Sequence, residues 1–143
     1  MVIKHSNMRR YLYLTALLLC CAFAWISCSK DDFPVDEDGL LITTRAECYV
    51  SDFQLLGSDF QTVLTAKKPV IDTTACTIHA EVQYGTDLKN VYPQFSLVTD
   101  AKLDPKITGK VDFSDLANPR SYTVVSGNRQ VRKTYTVHIS IQQ

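Results

Sequence analysis

Two histidines and a closely spaced pair of aspartates are the groups here that could move protons or hold a metal. His79 and His138 occupy polar positions in the alternating runs CTIHAEV (76–82) and KTYTVHISI (133–141), so both imidazoles are expected to face solvent from strands. Side by side, they could take a transition metal with a nearby acid such as Glu81. No CxxC, HxH or HExxH spacing accompanies them; solvated strand histidines are the simpler reading, and no metal is expected. Asp112 and Asp115 straddle Phe113, and glycoside hydrolysis does use two carboxylates held at a set separation in a cleft. In a strand-to-loop corner, however, this spacing initiates a turn. With no GxSxG elbow and no glycine-rich phosphate cradle, the sequence points to no catalytic residue and no cofactor.

Cysteine and tyrosine carry the remaining chemistry. Of five cysteines, Cys20, Cys21 and Cys28 lie in or at the end of an N-terminal apolar segment, leaving Cys48 and Cys76. In an oxidising compartment these two could bridge, closing a loop worth about 3 kcal/mol in the chain-entropy model. Both also fall at apolar positions of strands, where a free thiol behaves as a small hydrophobe. The sequence leaves both readings open. Tyr84 and Tyr92 bracket the turn at 85–91 and are the candidates for an exposed aromatic face that meets a sugar beside polar groups. The competing reading packs one on the core and lays the other over it.

The elements that must position these groups are strands. Period-two runs are expected at Cys48–Leu56, Val63–Ala66, Cys76–Val82, Val91–Val98, Lys110–Phe113, Ser121–Ser126 and Val131–Ile141. Turn signals separate them: Tyr84-Gly85-Thr86-Asp87, Asp104-Pro105, Asn118-Pro119 and Ser126-Gly127-Asn128. About seven short strands in under a hundred residues, with no convincing helix, predict an all-β, two-sheet antiparallel sandwich. The last two runs, joined by a glycine-containing loop, predict a hairpin. In the repeated Tyr122-Thr123-Val124 and Tyr135-Thr136-Val137, tyrosine and valine share one face and are expected in the core.

The N-terminus gives an address. Lys4, Arg9 and Arg10 precede the uncharged run Tyr11–Ile26, too short to span a bilayer as a helix and shaped like an export signal; Met8 is an alternative start. Ile26-Ser27-Cys28 resembles the lipobox of bacterial lipoproteins, with Trp25 where leucine is usual, so residues 1–27 read as a signal and Cys28 as the acylated residue. Such an anchor is essentially permanent, at about 0.8 kcal/mol per buried CH₂. Ser29-Lys30-Asp31-Asp32 resembles the export tag of surface lipoproteins in Bacteroidetes. That resemblance implies an outer-membrane protein displayed at the cell surface, with a periplasm-facing one as the alternative. Residues 28–45, acidic and holding Pro34 and Gly39, read as a flexible tether before a domain at 46–143.

Loss of the signal leaves 12 basic against 15 acidic residues, a net charge of −3, and five of the acids lie in the tether. The domain is close to neutral and has no basic stripe, which argues against nucleic acid as a partner. Trp25, the only tryptophan, goes with the signal. YGTDLKNVYPQFSLV (84–98) and VDFSDLANPRSYTVVSGNRQVRKTYTVHI (111–139) resemble a family of Bacteroidetes lipoprotein domains of unknown function with a bacterial immunoglobulin-like, cadherin-like sandwich. The resemblance covers residues 46–143; the SGNRQ turn and Cys48 depart from the family pattern. It implies a surface or periplasm-facing sandwich near polysaccharide-uptake systems and carries over no catalytic residue. The expected function is therefore a non-catalytic binding or accessory module for a polysaccharide or another surface lipoprotein. The alternative is a structural or assembly domain that contacts only protein.

Overall fold

Alternation of apolar and polar residues pairs seven strands among residues 34–143, the part of the chain that the computed structural model describes. In chain order they are β1 (Val50–Leu56), β2 (Val70–Asp72), β3 (Thr77–Val82), β4 (Tyr92–Leu97), β5 (Lys102–Asp104), β6 (Arg120–Val125) and β7 (Arg132–Ile141). The acylation and export positions Cys28, Ser29, Lys30, Asp31 and Asp32 lie outside the described residues. There is no helix among the described residues. β1 and β4 form a two-stranded antiparallel sheet, and β2-β3-β7-β6-β5 form a five-stranded one. The all-β, two-sheet architecture is the expected one. One pair runs against the antiparallel pattern: β3 lies parallel to β7, with His79 opposite His138 and Ala80 opposite Ile139.

The core lies between the sheets. Phe53 and Leu55 from β1 meet Ile78 and Val82 from β3, Val124 from β6, and Tyr135 and Val137 from β7, all at 1% exposure or less. Each such side chain contributes about 1.5–3 kcal/mol through burial. Tyr122 sits directly opposite Tyr135 in the β6–β7 register and packs against the core with its ring 4.9 Å from Phe95, so the paired YTV motifs are core as expected. Their threonines form an outer ladder, Thr123 to Thr134 at 3.0 Å and Ser121 to Thr136 at 3.2 Å. The β6–β7 hairpin closes through Ser126: its hydroxyl donates to Asn128 Oδ1 at 2.6 Å and accepts the Val131 amide at 3.0 Å.

The structure differs from the local expectations at two short runs and at the acidic segment. Residues 63–66 and 110–113 make only single bridges, Leu64 to Val82 and Val91 to Val111, because each turns after one pairing to send Leu64 or Phe113 into the core. The true edge strands of the larger sheet are instead β2 and β5, three residues each and too short to show a period. Cys48 and Cys76 are both free. Cys48 is buried with its Sγ donating to the Val124 carbonyl oxygen at 3.2 Å, while Cys76, at a φ of 55°, turns its thiol back to the Thr73 carbonyl oxygen at 3.7 Å.

The acidic segment differs as well. Residues 34–45 are not a solvated tether but a hairpin clasped on the domain. Val35 bridges Leu41, and Asp36 closes the turn by accepting the Asp38 and Leu40 amides at 3.0 and 2.9 Å. The same carboxylate, 5% exposed, stands 2.9 Å from both Lys102 Nζ and Arg129 Nε. Thr43 then donates to the Gly127 carbonyl oxygen at 3.0 Å, and Arg45 accepts the Asn128 amide at 2.8 Å. A Cβ on Gly127 would lie 2.5 Å from Thr43 Oγ1, so only glycine admits so close an approach. Composition alone reads such a run as a spacer; the buried cations that attract it lie far along the chain.

Candidate functional site

Strand direction gives the domain two ends. β1 finishes at Leu56 opposite Tyr92, where β4 begins, and Val63 donates to Leu55 while accepting from Gln83. The loops 57–62 and 83–91 therefore gather at one end, together with the close of β7 at Ile141, level with Val82. The acidic hairpin, the β6–β7 turn and Asp100 gather at the other, where Arg45 pairs with Asp100 at 3.3 Å.

At the end away from the hairpin stands an exposed aromatic stack. Tyr92, half-buried, carries the ring of Phe60 on its face, with centroids 4.8 Å apart and planes at 24°, and Phe60 is 62% exposed. Lys110 Nζ lies 6.0 Å from the Tyr92 ring centroid, since the Val91–Val111 bridge sets residue 110 beside residue 92. Phe60 has a φ of 60°, a conformation a bulky side chain adopts at a cost on the order of 1–3 kcal/mol. Its loop enforces this: Phe60 donates to the Gly57 carbonyl oxygen at 3.0 Å, Gly57 to Gln61 at 2.8 Å, and Gln61 to Asp59 Oδ1 at 3.1 Å.

Of the two tyrosines read from the sequence, Tyr92 forms the base of this stack. Tyr84 stands separately at the tip of the next loop, 86% exposed, on a turn that Gly85 (φ 82°) and the 2.6 Å bond from Thr86 Oγ1 to the Gln83 carbonyl oxygen hold open. Phe60 has no periodic signal in the sequence; Ser58-Asp59 before it marks a turn but does not say that the turn presents a ring. His79 and His138 stack with centroids 4.7 Å apart and planes at 10° on the outer face of the larger sheet, and no three-ligand metal group occurs among the described residues. Asp112 and Asp115 initiate turns as expected: Asp112 accepts the Ser114 amide at 2.8 Å and Asp115 the Asn118 side-chain amide at 2.9 Å.

Comparison with known proteins agrees with the fold. A family model described as "SGBP, N-terminal" matches residues 59–139, more than half of the chain. A Bacteroides thetaiotaomicron protein provisionally named a glycoside hydrolase superposes with a TM-score of 0.56 at 28% identity, over 68% of this chain and 26% of that one. A DUF4623 family protein of Bacteroides eggerthii superposes at 0.50 and 15% identity, over 68% of this chain and 22% of that one. The chain thus spans about a quarter of each of these structures. No curated protein matches it.

Proposed function

This chain belongs to the SGBP N-terminal family, and from that premise we propose that it is a non-catalytic glycan-contacting module of the Bacteroidetes cell surface. The observation that carries this reading is the strained, exposed Phe60 ring stacked on Tyr92 at the end of the sandwich away from the acidic hairpin. A flat, water-facing ring pair beside an ammonium group is the surface on which the apolar face of a pyranose stacks while its hydroxyls stay hydrated. The printed name of the Bacteroides thetaiotaomicron neighbour is consistent with a glycan setting.

The finer parts of the proposal come from the N-terminus. Cys28 carries the acyl anchor, Ser29-Lys30-Asp31-Asp32 direct the protein to the outer face of the outer membrane, and the sandwich is immunoglobulin-like. The hairpin at 34–45 then follows Cys28 by only a few residues of sequence.

Affinity electrophoresis on gels containing plant, host and microbial polysaccharides tests the reading. Wild type is retarded on at least one glycan, Phe60→Asn and Tyr92→Ala abolish the retardation, and Tyr84→Ala, outside the stacked ring pair, leaves it. Asparagine tolerates a positive φ, so Phe60→Asn keeps the fold within ~1 kcal/mol while removing the ring. No retardation of wild type on any gel would transfer the function to protein contact and assembly.

A further inference from the structure

A cleft of about 550 Å³ is lined by Asp112, Asp115, Asn118, Arg120 and Tyr122. Its position follows from the bridge at Val111. Both backbone hydrogen bonds join Val91 and Val111, at 3.3 and 2.8 Å, and Val111 packs against the core, so residues 110 and 112 point the other way. Lys110 caps Tyr92 and Asp112 lines the cleft, two residues apart and roughly 7 Å along one extended segment.

The cleft has donors and acceptors to spare. Arg120 Nε donates to the Asp112 carbonyl oxygen, which aims the guanidinium into the cleft, and among the described residues no protein group accepts from Nη1 or Nη2. Asn118 commits its amide nitrogen to Asp115 and leaves Oδ1 without a protein donor among those residues. The Tyr122 hydroxyl has no partner among them either, though its ring is fixed against Phe95 and Phe113. Hydrogen bonds from Ser114 to Asp112 and from the Asn118 side chain to Asp115 hold both carboxyls below the ordinary range, so they stay ionised acceptors.

We propose that this cleft is a hydrogen-bonding subsite for a neutral sugar unit, continuous with the Phe60–Tyr92 stack through Lys110 and Asp112. Carboxylate and amide oxygens accept from paired hydroxyls, and a guanidinium donates to hydroxyl and ring oxygens. Two carboxylates against one guanidinium make the lining net negative and exclude uronates and sulfated sugars. The proposal rests on the glycan reading above and extends it from one stacked unit to a chain of sugars.

The full chain in detergent micelles, on gels of amylopectin, xyloglucan, galactomannan and polygalacturonate, provides the test. Titration with oligosaccharides of increasing length from the best gel follows. Wild type binds a neutral glycan and gains affinity with length. Arg120→Gln and Tyr122→Phe, the second retaining the packed ring, lose about tenfold in affinity for the long oligosaccharide and keep wild-type affinity for the shortest. Length-dependent affinity unchanged in both variants, or preference for polygalacturonate, overturns the subsite while the stack and its function stand. Absence of all binding by wild type overturns both together.

Discussion

Asp36, in the acidic hairpin, and Lys102, at the start of β5, meet at 2.9 Å with their side chains only 5% and 9% exposed. Lys102 also reaches Glu37 at 3.5 Å and pairs with Asp38, and Arg129 shares Asp36 at 2.9 Å. A carboxylate taken out of water is held there by two cations, so removing it leaves both cations poorly solvated. Asp36→Asn is expected to release residues 34–45 and lower Tm by several degrees. Hydrogen exchange at the Leu40, Ile42 and Thr43 amides reads the release directly. Gly127→Ala, whose methyl would crowd Thr43, Asp100 and Arg45 while leaving the Asp36 ion pairs intact, reproduces it; protection unchanged in both variants contradicts the clasp.

The same network fixes the direction of pH dependence. Lys102 above all, with the Leu40 amide and Arg129, holds the Asp36 carboxyl well below the usual carboxylate range. Backbone amides at Ala75 and Thr74 lower Asp72, and the Asn90 side chain lowers Asp87. Each folded-state pKa is below its unfolded value of about 3.9, so the unfolded chain binds more protons as pH falls. The contribution is complete above about pH 5 and is lost progressively below it. Lys102 is raised by Asp36 and Asp38, so its share is complete below about pH 10 and lost as pH rises through the folded value. Urea unfolding from pH 2 to 7 checks the acid limb, and Asp36→Asn flattens it.

Tyr135 is the largest fully buried side chain, and its hydroxyl lies toward the Val50 backbone without a hydrogen bond of good geometry. Leaving such a group unpaired costs about 1–3 kcal/mol. Tyr135→Phe therefore stabilises the domain by about 1 kcal/mol, the small void left by the oxygen offsetting part of the gain. Chemical denaturation resolves this; a loss of stability of similar size would mean that the hydroxyl is satisfied.

The cysteines separate by burial. Cys48 is 4% exposed and burial pushes its thiol up, whereas Cys76 is only partly covered. The thiolate is the reactive form. Alkylation of the folded protein followed by peptide mapping is expected to label Cys76 and to reach Cys48 only after unfolding. A Cys48–Cys76 crosslinked peptide in unreduced protein would restore the bridge.

Legibility in the sequence followed period and length. β3 and β7 alternate cleanly over Ile78–Val82 and Tyr135–Ile139, and both were visible with their buried faces correctly assigned. β2 and β5 were not, because three residues cannot display a two-residue period. The parallel β3–β7 pairing is a property of chain crossing between elements that no local pattern encodes. At the candidate site, Tyr92 was legible through its place beside a turn. Phe60 was not, since what distinguishes it is a positive φ imposed by hydrogen bonds in its own loop. The hairpin was misread for a related reason: acids signal a solvated run until Lys102 and Arg129, distant in sequence, are folded against them.

The placement of the hairpin has a mechanical side. The chain enters the domain where residues 43–45 grip the Gly127 turn, and β7 finishes at the opposite end, where Gln142 donates to Val82. A pull between those two ends runs along β1, β3 and β7 and loads their ladders in shear, so many hydrogen bonds must fail together. A pull across the strands would unzip the same bonds one by one. The ion pairs of Asp36 lie on the load path as its first link, ahead of any strand. Under tension the hairpin is expected to yield before the sandwich, a small first step in single-molecule pulling that Asp36→Asn removes.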